Sequence, residues 1–168
     1  AYYYSPQSLK DNEYEKSRNI SQRERAKATS NGRPRISRHV FSNGTFIDYH
    51  DGLSDIEHGI LRTVGDPRER FDEDALRILR AIRFASRFGF DIDIDTLRAV
   101  KDLAHTVTTT SIERIRDELF KTISYGSDKF SCALELMDAC GLWELIVPEI
   151  KLTGEKIRSL HALDTKVP

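Results

Sequence analysis

The stretch from Arg70 to Phe84 constrains the fold of this chain more than any other part of the sequence, because its apolar and charged residues follow the period of an α-helix. Leu76, Leu79 and Ile82 recur at the spacing that places side chains on one side of a helix. The other side carries the following residues: Glu73, Asp74, Arg77, Arg80 and Arg87. The pattern predicts one continuous helix that packs through its apolar side and ends at Gly89.

The charged side of this helix has the chemistry needed to read a nucleotide. Asp74, one turn before Arg77, can accept hydrogen bonds from an exocyclic amine, while the arginine donates to ring nitrogens and carbonyls. Arg80 and Arg83 suit a triphosphate. No lysine occurs between Arg68 and Arg98, and arginine is the residue suited to planar, two-pronged recognition. The alternative is a solvated face with ion pairs contributing about 0.2–0.5 kcal/mol each.

The remaining sequence predicts a mostly α-helical chain with a small β component. Asn43-Gly44 between apolar runs indicates a β-hairpin from Val40 to Tyr49, and Tyr2–Tyr4 reads as a further strand. Asp66-Pro67 is typical of a helix start, and Asp93 or Asp95 is predicted to cap the next helix. Further helices are expected over these ranges: 96–104, 110–126, 127–141 and 154–163.

Several motifs together resemble a known family. The chain carries Asp48-Tyr49-His50-Asp51-Gly52, then Leu61-Arg62-Thr63-Val64-Gly65-Asp66-Pro67, Glu73-Asp74-Ala75-Leu76-Arg77, Arg80-Ala81-Ile82-Arg83-Phe84 and Ser111-Ile112-Glu113-Arg114-Ile115. In this order they resemble the class II (bacterial-type) tRNA nucleotidyltransferase (CCA-adding enzyme) and poly(A) polymerase family. One departure is Asp51, where the family usually has glycine; aspartate tolerates a left-handed backbone better than most residues.

The resemblance implies a domain organisation and a function. Residues 1–52 would be the end of a nucleotidyltransferase head domain with a long basic insertion at about residues 9–40, residues 53–125 a helical neck, and residues 126–168 the start of a helical body. The intact enzyme would add CCA, or part of it, to the tRNA 3′ end from CTP and ATP. Asp74 and Arg77 would read the base, Arg80 and Arg83 would hold phosphates or orient Asp74, and Glu73, Glu113 and Arg114 would brace the helix.

The catalytic carboxylates of the family have no counterpart in the sequence. The resemblance places the two Mg²⁺-binding residues upstream of Ala1, so we expect no catalytic or metal-binding residue in this chain. Phosphoryl transfer without them lacks its main electrostatic stabilisation, and we therefore predict that the chain alone is inactive.

Composition and charge are consistent with a cytoplasmic protein that has no membrane partner. No run of apolar residues is long enough to cross a bilayer. Residues 1–40 carry nine lysines and arginines against four acidic residues, while residues 41–168 carry seventeen against twenty-three, so the basic excess lies in the insertion. Cys132 and Cys140 are expected to be buried, reduced thiols, and neither they nor the histidines have zinc-ligand spacing.

Two other functions remain compatible with the motifs. A bacterial poly(A) polymerase shares every motif named above. A non-catalytic helical interaction module could retain the same helices without reading nucleotides. Binding of CTP and ATP separates the module from the two enzymes.

Overall fold

The computed structural model describes residues 37–41 and 44–161 and divides into two compact units, which meet in sequence at Leu53 and Ser54. The predicted strand at Tyr2–Tyr4 and most of the basic insertion lie outside the described residues. None of the described helices is both long enough and apolar enough to span a membrane.

The first unit contains an antiparallel hairpin of β1 (Ser37–Phe41) and β2 (Gly44–Asp48), in which Phe41 pairs with Gly44. This confirms the hairpin predicted around Asn43-Gly44, although its first strand begins three residues before Val40. The carboxylate of Asp48 accepts hydrogen bonds from the backbone N–H groups of His50 (3.0 Å) and Leu53 (2.9 Å). Between them Asp51 has a φ of 56°, so the left-handed turn is kept without glycine.

From Gly52 onward the chain is mostly helical, as predicted. Its elements are α1 (Gly52–Glu57), β3 (Ile60–Leu61), α2 (Pro67–Glu73), α3 (Leu76–Phe88), β4 (Asp91–Ile92), α4 (Ile94–Leu103), a 3-10 helix (Ala104–Thr109), α5 (Ile112–Ile123), α6 (Ser127–Ala139), α7 (Leu142–Ile146) and α8 (Gly154–His161). The two-residue strands β3 and β4 pair in parallel, which the sequence did not predict.

Helix α3 lies at the centre of the second unit, where it packs against α5 and α6. Ile78, Leu79 and Ile82 are almost fully buried in a hydrophobic core that also includes Val100 of α4 and Met137 of α6. Because the helices on both sides of residue 126 contribute to this one core, they hold each other in place. The assignment of separate neck and body domains stays a prediction.

Three helix boundaries follow directly from the sequence. Asp66 caps α2 by accepting a hydrogen bond from the backbone N–H of Arg68 at 2.8 Å. Gly89 ends α3 in the left-handed conformation, with a φ of 67°. Asp93 caps α4 by accepting from the N–H groups of Asp95 and Thr96. All three were predicted.

Candidate nucleotide-recognition site

A break between α2 and α3 sets the geometry of the candidate site. Asp74 has an extended backbone, with φ −155° and ψ 103°, and its carboxylate accepts a hydrogen bond from the N–H of Leu76 at 3.1 Å. The prediction of one continuous helix from Arg70 to Phe84 was therefore wrong. Aspartate can bond to nearby backbone groups outside a helix, and here this hydrogen bond accompanies the break between the two helices. Asp74 consequently stands at the entrance to α3.

The partner of Asp74 is Arg114, in the first turn of α5. Nη2 of Arg114 donates to Oδ2 at 3.0 Å and to Oδ1 at 3.3 Å. Glu113 is exposed beside it. The side chain of Asp74 is 28% exposed, so the carboxylate is oriented by the pair yet remains open to solvent. That Arg114 braces the recognition helix stays a prediction, and this contact with Asp74 supports it.

Arg77 pairs with Glu73 and not with Asp74. Its Nη1 lies 2.5 Å from Glu73 Oε2 and also donates to the carbonyl of Arg70 at 2.9 Å. The hydrogen bond from Arg77 lowers the pKa of Glu73 below its ordinary value, although burial opposes the shift and nearby positive charge favours it. The sequence places Asp74 one turn before Arg77, but the two side chains take different partners, Arg114 and Glu73.

Arg83 is buried, contrary to its predicted role in holding phosphates. Its Nε donates to Glu118 Oε2 at 2.8 Å, and its Nη1 donates to the hydroxyl of Tyr125 at 3.0 Å. The side chains of Arg83 and Glu118 are only 8% and 6% exposed. The sequence contained a signal for this burial, since Arg83 lies four residues after Leu79, on the apolar side of α3.

Glu118 was missed as an anchor of the site. Lys121 donates to its second carboxylate oxygen at 2.8 Å, so one carboxylate serves two cations. Burial raises the pKa of Glu118, but the hydrogen bonds and charges of Lys121 and Arg83 outweigh burial and leave it lowered. Its position three residues after Ile115, on the buried side of α5, could have identified it as a core carboxylate.

Arg80 is exposed on α3 and forms no salt bridge within the described ranges.

Among residues 37–41 and 44–161, no group of three histidine, cysteine, aspartate or glutamate side chains could hold a metal ion. The described residues thus do not fit the Mg²⁺ that the family resemblance implies, and we assign no chemical step through Mg²⁺ to them.

Comparison with known proteins gives the family. Residues 89–153 match a family model described as a probable RNA and SrmB-binding site of polymerase A. The CCA-adding enzyme of Pediococcus pentosaceus is 52% identical over 83 residues, which cover 49% of this chain and 21% of that protein. The enzyme of Streptococcus gordonii is 41% identical over 123 residues, covering 73% of this chain and 30% of that protein. The chain belongs to the tRNA nucleotidyltransferase and poly(A) polymerase family.

Solved structures of tRNA nucleotidyltransferases share the fold. The Bacillus stearothermophilus CCA-adding enzyme in complex with CTP is 32% identical with a TM-score of 0.59, over 74% of this chain and 31% of that one. A tRNA nucleotidyltransferase complexed with a primer tRNA and an incoming ATP analog is 29% identical with a TM-score of 0.64, over 73% of this chain and 35% of that one. The chain thus spans about a fifth to a third of the length of its curated relatives.

Proposed function

We propose that this chain supplies the nucleotide-recognition part of a tRNA nucleotidyltransferase that adds CCA, or part of it, to the tRNA 3′ end. The observation that carries the proposal is the open carboxylate of Asp74, oriented by Arg114 at the entrance to α3. The matched relatives are CCA-adding enzymes, and matched structures include complexes with ATP and with CTP. A role in tRNA maturation also favours a cytoplasmic location.

Asp74 and Arg77 present complementary hydrogen-bonding groups to a base. An ionised carboxylate only accepts, so Asp74 favours the exocyclic amines of cytosine and adenine over the carbonyls at the matching positions of uracil and guanine. The described hydrogen bonds of Arg77 use a single nitrogen, Nη1, which leaves its other N–H groups free to donate to a base. Protein side chains would therefore select the nucleotide without a nucleic-acid template.

The other residues take different parts in the proposal. Arg80 is one turn beyond Arg77 and exposed, so we propose that it holds the phosphates. Arg83 keeps an orienting role, because its buried pair with Glu118 joins α3 to α5, and those two helices carry Arg77 and Arg114. Glu73 holds the guanidinium of Arg77.

A nucleotide titration tests this proposal on the chain itself. Amide signals of the isotopically labelled protein are followed by NMR as CTP, ATP, UTP or GTP is added. We expect CTP and ATP to shift the signals of residues 74–77 and 114, and UTP and GTP to shift them much less. Arg77→Ala should abolish the response, whereas Arg98→Ala, which removes an exposed arginine paired with Asp95 on α4, should not. Equal responses to all four nucleotides, or none, would favour the interaction module.

A poly(A) polymerase is the second candidate, and the description of the matched family model favours it. Such an enzyme adds only adenosine. In the same titration it should respond to ATP and not to CTP. A response to both nucleotides favours CCA addition.

A further inference from the structure

The C-terminal end of α3 carries a second group of cationic and aromatic side chains, away from the base-reading residues. We call it the Arg87 cluster, and it consists of Arg83, Arg87, Phe88 and Tyr125. The guanidinium carbon of Arg87 lies 4.6 Å from the centre of the Tyr125 ring and 5.2 Å from the centre of the Phe88 ring. Cations held over aromatic faces in this way are attracted by the ring electrons. The contacts therefore fix the exposed Arg87 side chain in place.

The hydroxyl of Tyr125 has an unusual hydrogen-bonding arrangement. Its oxygen accepts from Nη1 of Arg83 at 3.0 Å and from Nη1 of Arg87 at 3.2 Å. A guanidinium can only donate, and a phenol oxygen has one O–H donor besides its acceptor positions. With the acceptor side facing two guanidinium groups, the O–H of Tyr125 is left to donate to a further acceptor.

The charges around this hydroxyl favour an anion as that acceptor. Glu118 is already shared by Arg83 and Lys121. Arg87 forms no salt bridge within the part of the chain that the structure describes, and its one described hydrogen bond goes to Tyr125. The remaining N–H groups of Arg87 and the O–H of Tyr125 are thus neighbouring donors on a cationic surface. A phosphate oxygen accepts from such donors.

We propose that Arg87 and Tyr125 bind a backbone phosphate of an RNA strand. Phe88 is 52% exposed and stacks on Phe84, with ring centres 6.1 Å apart, so an aromatic face lies beside the cationic donors. Cationic grooves lined with stacking rings are typical of proteins that bind single-stranded nucleic acid. The inference rests on the proposed function only in identifying that strand as tRNA.

The triphosphate of a bound nucleotide is the other source of the same chemistry. Arg87 lies ten residues after Arg77, so the rise of α3 separates the two backbone positions by roughly 15 Å. The base-reading end and the Arg87 cluster are therefore at opposite ends of the helix. This separation favours the RNA strand over the incoming nucleotide.

The test measures RNA and CTP binding separately on the full 168-residue chain. The RNA probe is a short fluorescein-labelled single-stranded oligoribonucleotide ending in two cytidines, followed by fluorescence anisotropy over a range of salt concentrations. Arg87→Gln should weaken RNA binding about tenfold and reduce the salt slope by about one. Tyr125→Phe keeps the ring and removes the donor, and it should weaken RNA binding by a similar factor. Arg98→Gln, the matched loss of one exposed arginine, should bind the RNA nearly as well as the wild type.

CTP binding is measured on the same variants. Arg87→Gln and Tyr125→Phe should both keep the wild-type response to CTP, since neither residue reads the base. Unchanged RNA affinity in Arg87→Gln and Tyr125→Phe would show that the cluster only packs α3 against α5. Loss of CTP binding in place of RNA binding would assign the phosphate to the nucleotide, and failure of the wild-type chain to bind the RNA would also overturn the inference. The proposed function is tested separately, by the nucleotide titration of the wild type and of Arg77→Ala.

Discussion

Arg114 donates from a single guanidinium nitrogen to both carboxylate oxygens of Asp74, at 3.0 and 3.3 Å. Asp74 lies in the break just before α3, and Arg114 lies in the first turn of α5. The pair therefore joins the starts of two helices. The carboxylate that we propose reads the base is therefore oriented from a different helix. Because both side chains are partly exposed, we expect the pair to orient the carboxylate of Asp74 while contributing little to the stability of the fold.

Arg114→Ala is expected to affect nucleotide binding more than folding. Exposed ion pairs contribute up to about 1 kcal/mol, so the free energy of unfolding should change by no more than that. The affinities for CTP and ATP should both fall, because Asp74 loses its orienting partner. Thermal unfolding and calorimetric titration measure the two effects. A large loss of stability with unchanged nucleotide affinity would show that the pair is structural.

Asp74→Asn separates the charge of the carboxylate from its hydrogen bond to the backbone N–H of Leu76. The amide oxygen of asparagine can accept the same hydrogen bond, so α3 should keep its start. The new amide can donate to the carbonyl of uracil, and the ratio of CTP to UTP affinity should fall. Asp66→Asn makes the same substitution at the cap of α2 and serves as the control. An unchanged ratio in Asp74→Asn would remove Asp74 from base selection.

Glu118→Ala should be strongly destabilising. Removing one partner of a buried pair leaves an uncompensated charge, which costs about 3–5 kcal/mol in the free energy of unfolding. The double variant Arg83→Met with Glu118→Leu should recover much of this loss, because both charges are removed together. Asp117→Ala is the control, since Asp117 is the exposed neighbour of Glu118 and pairs with the exposed Arg116. Denaturant unfolding measures all four proteins, and a small effect of Glu118→Ala would show that the pair contributes little.

Glu118 should also make stability depend on pH. Burial raises the pKa of this carboxyl, but Lys121 and Arg83 together lower it below the ordinary value of 4.5. A carboxyl with a lowered folded-state pKa stabilises the fold above pH 4.5, and this contribution is lost as pH falls through the folded-state value. Melting temperatures measured from pH 7 down to 3 should therefore fall less steeply below pH 4.5 in Glu118→Gln than in the wild type. Parallel curves would contradict the assignment.

The amino-acid sequence determined where several helices begin and end and which side of α3 is buried, because these features depend on local chemistry. Asp66 and Asp93 cap helices and Gly89 ends one, as their side chains and backbone freedom require. The apolar period of Leu76, Leu79 and Ile82 identified the buried side of α3. The motifs also identified the family, because their residues and order are specific to it.

Only the tertiary structure decided which charges meet. The spacing placed Asp74 and Arg77 one turn apart on one helix, but the backbone turns at Asp74, and its carboxylate bonds to Arg114, forty residues later. Arg83 resembled a phosphate ligand in the sequence, yet the packing of α3 against α5 places it on Glu118. Charged side chains are long and take partners from any element that folding brings near, so a helical period predicts their face but not their partner.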